Sequence, residues 1–208
     1  MMKKNGFRKI VSLGIILCCF FLGIGSAYAY NFVHDAGYRP HPSSGGAIVV
    51  RPFNGFDSNS ITAMQNGASQ WNAAGAGTLI SIGATSTNTA YPNDNDLNQV
   101  TRGERGTNEY LQQTHYTTSG WVYDGLWPRK ALYEADIDVN VSHPWSNNPA
   151  GHPDFYDVGN SFTHELGHLL GLDHSTVAGA TMISGSSKGT IYKRDLADDD
   201  KSAIVDLY

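Results

Sequence analysis

The chain has 208 residues, 16% of them charged and 40% hydrophobic, with eight histidines and a formal net charge of −5. That length suits one domain with its own core, and the acidic balance excludes a surface built for nucleic acid or anionic lipid. Cys18 and Cys19 lie side by side in an apolar run, so the rest of the chain has no thiol for a disulfide or a thiolate metal site.

Residues 1–29 have the layout of a secretory signal. Lys3, Lys4, Arg8 and Lys9 precede IVSLGIILCCFFLGIG, and Ser26-Ala27-Tyr28-Ala29 places alanine at both positions that a signal peptidase reads. The apolar run is shorter than the ~20 residues of a membrane-spanning helix. The expectation is cleavage after Ala29, leaving one domain at 30–208 whose formal charge moves from −5 to −9 as those four cations are lost. The product is expected to be secreted and monomeric, with no nucleic-acid partner and no stable membrane association. Retention at the cell surface stays open.

AIVVRPF (47–53) reads as a strand. In SNSITAMQNGASQWNAAG, Ile61, Met64, Ala68 and Trp71 recur at helical spacing between a cap at Ser58 and a stop at Gly75. TLISIG (78–83) reads as a second strand, and GATSTNTAYPNDNDLNQV as a polar surface loop. Asp94, Asn95 and Asp96 in that loop are candidate ligands for a structural calcium. The EF-hand spacing is missing, however, and a plain Asn/Asp turn is favoured. His115, His143 and His152 are candidates for a second metal site, against the commoner case of solvated loop histidines. GWVYDGLW reads as strand and turn.

EADIDVNV alternates, with Ile137, Val139 and Val141 on one face and Asp136, Asp138 and Asn140 on the other. This predicts a strand wet on one side, as at a sheet edge. In DLADDDKSAIVDLY, Asp198, Asp199 and Asp200 crowd the first turn of a closing helix whose dipole they complement, and Ile204 and Leu207 give it a buried side. The sum is an α/β or α+β fold around one twisted mixed sheet, with an active-site helix, a second long helix and a C-terminal helix.

The active-site helix carries THELGHLLGLDHS (163–175). His164 and His168, four residues apart, share one helix face, and Glu165 sits beside them. Asp157 or Ser161 is placed to cap this helix. If the helix continued, six more residues would carry His174 ~9 Å along the axis. Gly171 can take the left-handed conformation that ends a helix and turns the chain back, returning His174 to the other two. Gly167 is a poor helix former, which predicts that another segment approaches closely beneath the site. Three neutral imidazoles suit zinc and leave a fourth position for water, whose proton Glu165 can accept and pass to the leaving amine.

HELGHLLGLDH matches HExxHxxGxxH at every fixed position and thereby resembles the metzincin metalloproteases. The resemblance is closest to the matrixin branch and its small bacterial relatives. Ser175 follows the third histidine as in that branch, and Met182 in GATMIS stands where the family's methionine turn supplies an apolar floor. Ile183-Ser184 departs from the Tyr-Pro pair usual after that methionine. The resemblance implies a metzincin-like domain holding one catalytic zinc, bound by His164, His168 and His174, with Glu165 as general base and then acid. It also implies an endopeptidase acting on protein or peptide substrates, which would pair with the edge of strand 134–141. A thermolysin-like ligand set would need a later glutamate, and none follows Glu165. The alternative from another class is an exported zinc-binding or adhesive module with little or no turnover. His34 and Asp35 are a candidate latency peptide, against the simpler expectation of a frayed terminus.

Overall fold

The computed structural model describes residues 30–32, 39–40, 46–124 and 127–208. The expected signal segment 1–29 and the pair His34 and Asp35 lie outside the described residues.

Six strands form the main sheet: β1 (Arg39–Pro40), β2 (Ile48–Pro52), β3 (Ile80–Ile82), β4 (Asn98–Gly103), β5 (Gln112–Asp124) and β6 (Trp127–Asn140). β3, β2, β4 and β6 lie side by side in that order, all parallel, and β1 adds a short parallel pairing to β6 at Ala131 and Leu132. β5 runs antiparallel along the other side of β6. A two-strand ribbon, β7 (Trp145–Ser146) with β8 (Tyr156–Asp157), precedes the second helix.

Parallel neighbours need a crossover, and α1 (Ser58–Asn72) supplies it between β2 and β3. Its cap is Asp57, whose side chain accepts from the Ser60 N–H at 2.8 Å, one residue before the expected Ser58. Met64, Ala68 and Trp71 face inward as their spacing requires. They share one core with Val50, Val100 and Ile137 of the sheet and with Phe162, Leu166 and Leu169 of α2 (Val158–Leu169). The helices touch where α1 has no side chain: a Cβ on Gly67 would lie 3.2 Å from both Leu166 Cδ1 and Thr163 Cα. α3 (Asp198–Leu207) closes the domain and buries Ile204 and Leu207.

The sheet corrects two expectations. Residues 98–100, expected in a loop, begin β4, whose Gln99 and Thr101 are buried despite their polarity. Strand 134–141 is interior, held between β4 and β5, and its second face is not wet: Asp138 and Asn140 are fully buried and Asp136 nearly so. The preceding segments fold over that face and supply polar partners. Asp138 pairs with Arg105 and accepts from the Tyr110 and Thr101 hydroxyls. Asp136 accepts from the backbone N–H groups of Asn93 and Gln99, and Glu134 from those of Asn95 and Asp96. Alternation reveals two faces of different polarity, but water and a polar lid leave the same pattern.

Candidate metal centre

α2 begins at Asp157, whose side chain accepts from the Asn160 N–H at 2.7 Å, one of the two caps the sequence offered. Its buried residues include the apolar Val158, Phe162, Leu166 and Leu169 and the polar Asn160, Thr163, His164, Glu165 and His168. The helix ends at Leu170, and Gly171 has φ +98°. The N–H of Gly171 donates to the His168 carbonyl and that of Leu172 to the Gly167 carbonyl, so the chain reverses at once. The ring centroid of His174 comes to lie 5.3 Å from that of His164 and 4.8 Å from that of His168.

These three histidines form a group whose candidate ligand atoms all lie within 4.8 Å of one another. The Nε2 atoms of His164 and His168 are 3.2 Å apart. Two nitrogens at 2.0–2.1 Å from a tetrahedral zinc would be about 3.3 Å apart, so this pair fits the ion. Their other ring nitrogens set the tautomer. His164 Nδ1 lies 2.7 Å from the Thr181 carbonyl, and His168 Nδ1 lies 2.7 Å from the Leu172 carbonyl. A carbonyl only accepts, so Nδ1 carries the proton and Nε2 presents its lone pair. Burial holds His164 well below the ordinary imidazole range and lowers His168 and His174 as well, keeping the rings neutral as ligands must be.

Glu165 stands beside this group with its Oε2 accepting from the Thr114 hydroxyl at 2.7 Å. Burial pushes its carboxyl up to about 7, against the pull of that hydrogen bond. Thr114 belongs to β5, which among the described residues is paired on one side only. Tyr110, Leu111, Gln112, Gln113 and Thr114 line one wall of a cleft of about 380 Å3 whose floor includes the three histidines and Glu165. The strand edge beside the site is therefore β5, not strand 134–141.

The support beneath is dense. Met182 is 2% exposed and packs on α2 at Gly167. A Cβ there would overlap Met182 Sδ and lie 2.6 Å from Cζ2 of Trp71, whose Nε1 donates to the Thr163 carbonyl at 2.8 Å. The thioether can shift, but the anchored indole cannot. Gly167→Ala is expected to destabilise the zinc-loaded protein by roughly 1–3 kcal/mol, although alanine is the better helix former by ~1 kcal/mol. Urea unfolding reads this directly, and a midpoint at or above wild type would contradict the close packing.

Further residues position the site without having been singled out for it. Asp200 accepts from the backbone N–H groups of Thr181 (2.7 Å) and Met182 (3.0 Å), and Asp199 accepts from the Ser175 hydroxyl at 2.6 Å. The aspartates expected to serve a helix dipole thus also fix the methionine turn and the residue after His174. Near the N-terminal end of the described residues, Asn31 Nδ2 donates to the His174 carbonyl at 2.9 Å, and the Asn31 carbonyl accepts from the Asp173 N–H. Their signal is tertiary and leaves no trace in local pattern.

The remaining candidates do not join the site. His115 is exposed on β5 edge-on to Tyr91, His143 packs against Tyr156, and His152 against Phe155. Asp94 accepts from the Thr117 hydroxyl, and the nearby Glu134 and Asp136 carboxylates are taken up by backbone N–H donors. No helix of the described residues is long and apolar enough to cross a membrane.

Among known proteins, the family model described as Matrixin matches residues 105–208. A protein named probable matrix metalloproteinase 095L, from Invertebrate iridescent virus 3, is 32% identical over 98 residues, which cover 43% of this chain and 26% of that protein. Karilysin from Tannerella forsythia is 36% identical over 81 residues, covering 39% of this chain and 16% of its own. The chain thus spans about a quarter or less of the length of these curated relatives.

Proposed function

Because this chain belongs to the matrixin family, we propose that it is a zinc-dependent endopeptidase whose metal is held by His164, His168 and His174. The observation that carries this reading is the convergence of three imidazoles beside a buried, Thr114-held glutamate on the floor of an open cleft. When bound, zinc supplies Lewis acidity, polarising the scissile carbonyl and acidifying water.

The chain's own residues do the rest. Glu165 takes the proton of the attacking water and delivers it to the leaving amine nitrogen as the C–N bond breaks. The Thr114 hydroxyl occupies one of its carboxylate oxygens and leaves the other to carry the proton. The carbonyls of Thr181 and Leu172 fix the two helical imidazoles, and Met182 with Gly167 keeps the floor apolar and close-packed. An extended substrate adds to the free edge of β5, where backbone donors and acceptors are available.

We further propose that residues 1–29 are an export signal cleaved after Ala29, so that 30–208 act outside the cell as a monomer. Zinc is the one cofactor assigned. A structural calcium at Asp94 and Asp96 is not, because the neighbouring carboxylates already serve backbone donors.

Casein incubated with the zinc-loaded protein and analysed by fragment mass spectrometry tests the activity. Internal cleavage products that disappear on chelation and return with zinc are expected; intact casein, or trimming from the chain ends alone, would contradict an endopeptidase.

A further inference from the structure

Part of the cleft lining is polar. Asn160 and Ser161 of α2, Gly185 and Ser186 beyond the methionine turn, and Lys193 line it. Lys193 lies in the 3-10 turn Tyr192–Arg194 and is only 2% exposed, a rare position for an ammonium group. Its Nζ donates to the carbonyls of Ile183 and, at 2.7 Å, Gly185. An ammonium has three protons, and the third finds no acceptor among the described residues.

The charge is also compensated only through space. Among the described residues no carboxylate lies within ion-pair distance of Nζ. The acids it senses through space are Glu165 and Asp200. Glu165 already accepts from Thr114, and Asp200 from three backbone N–H groups, those of Ala197, Thr181 and Met182. Burial lowers the ammonium to about 8, which still leaves it protonated at neutral pH. Carbonyl dipoles anchor the group without neutralising it, and a buried unpaired cation gains most from a carboxylate that reaches it. Tying two carbonyls together needs no charge; the amide of a glutamine has two such donors.

We propose that Lys193 makes this cleft select peptides with an acidic side chain beside the bond that is cut, the carboxylate docking on its ammonium. This rests on the endopeptidase reading above. The geometry supporting it is the lysine's place in the cleft wall, its fixed Nζ and the lack of a carboxylate partner.

The test uses zinc-loaded protein and internally quenched peptides that differ only in carrying Glu or Gln at one position. That position is walked from two residues before the scissile bond to two after it. Wild type is expected to show a Glu-over-Gln ratio in kcat/KM of roughly ten or more at one of these positions, the scale of one charge-assisted hydrogen bond. Lys193→Gln keeps two donors and loses the charge, so its ratio should fall to near one, whatever its overall rate. Lys193→Arg should retain the preference. A wild-type ratio near one at every position overturns the proposal, as does a Lys193→Gln variant that keeps the wild-type Glu-over-Gln ratio. A wild type that cuts no peptide removes the endopeptidase reading and this inference together, whereas cleavage without acid preference removes the inference alone.

Discussion

Replacing Glu165 by Gln is expected to lower kcat on a peptide substrate by roughly 10²–10⁴-fold, the range that a positioned general base contributes, while zinc stays bound at one per chain. Glutamine keeps the shape of the side chain and can still accept from the Thr114 hydroxyl. It cannot take a proton at neutral pH. The metal should remain, because the Glu165 side chain is absent from the set of converging ligand atoms. This separation of turnover from binding also distinguishes the endopeptidase from an exported zinc-binding module. In such a module Glu165 has no task, and wild type and variant, both zinc-loaded, would be equally inert on casein or gelatin.

The second large effect is expected at His174. His164 and His168 come from one helix, whereas His174 reaches the same space only through the reversal at Gly171. It is also the exposed member of the group. With His174→Ala, two imidazoles remain and hold the ion in an incomplete set. Zinc affinity should fall by more than the roughly 10–100-fold typical of losing a group that only orients a ligand, and activity at limiting zinc should fall with it. Competition against a chromophoric chelator measures the affinity. Undiminished affinity in this variant would take His174 out of the ligand set. The fold should survive, since the side chain contributes nothing to the apolar core.

The grouping of the three histidines was legible in the sequence, because its parts are local. Two histidines four residues apart need only a helix, the cap at Asp157 and the apolar positions Phe162, Leu166 and Leu169 supply one, and a glycine at 171 permits the reversal. Gly167 was legible for a similar reason: an unfavourable helix residue implied a close neighbour, and the neighbours are Met182 and Trp71. The strand-helix-strand start was legible from its apolar runs and the spacing on α1, and the structure makes its two strands parallel neighbours.

What escaped depends on tertiary placement. QQTHYTT carries no hydropathy contrast, since Gln113 and His115 are exposed while Gln112 and Thr114 turn inward with equal polarity. The strand that lines the cleft therefore looked like a loop, and its partner β6 was taken for the edge. Lys193 sits in a polar turn where a lysine is ordinarily solvated, and only the packing of that turn against the cleft buries it. Asp199 and Asp200 satisfied a helix-dipole argument completely, which left no reason to look for their bonds to Ser175 and the methionine turn.

Three imidazoles sharing one cation define the proposed centre, and diffraction from crystals of the zinc-loaded protein, recorded on both sides of the zinc absorption edge, tests that directly. A single anomalous peak is expected, with His164 Nε2, His168 Nε2 and one nitrogen of His174 each at about 2.0–2.1 Å from it. A peak elsewhere, or one bound by two of these histidines with the third ring turned away, would contradict it.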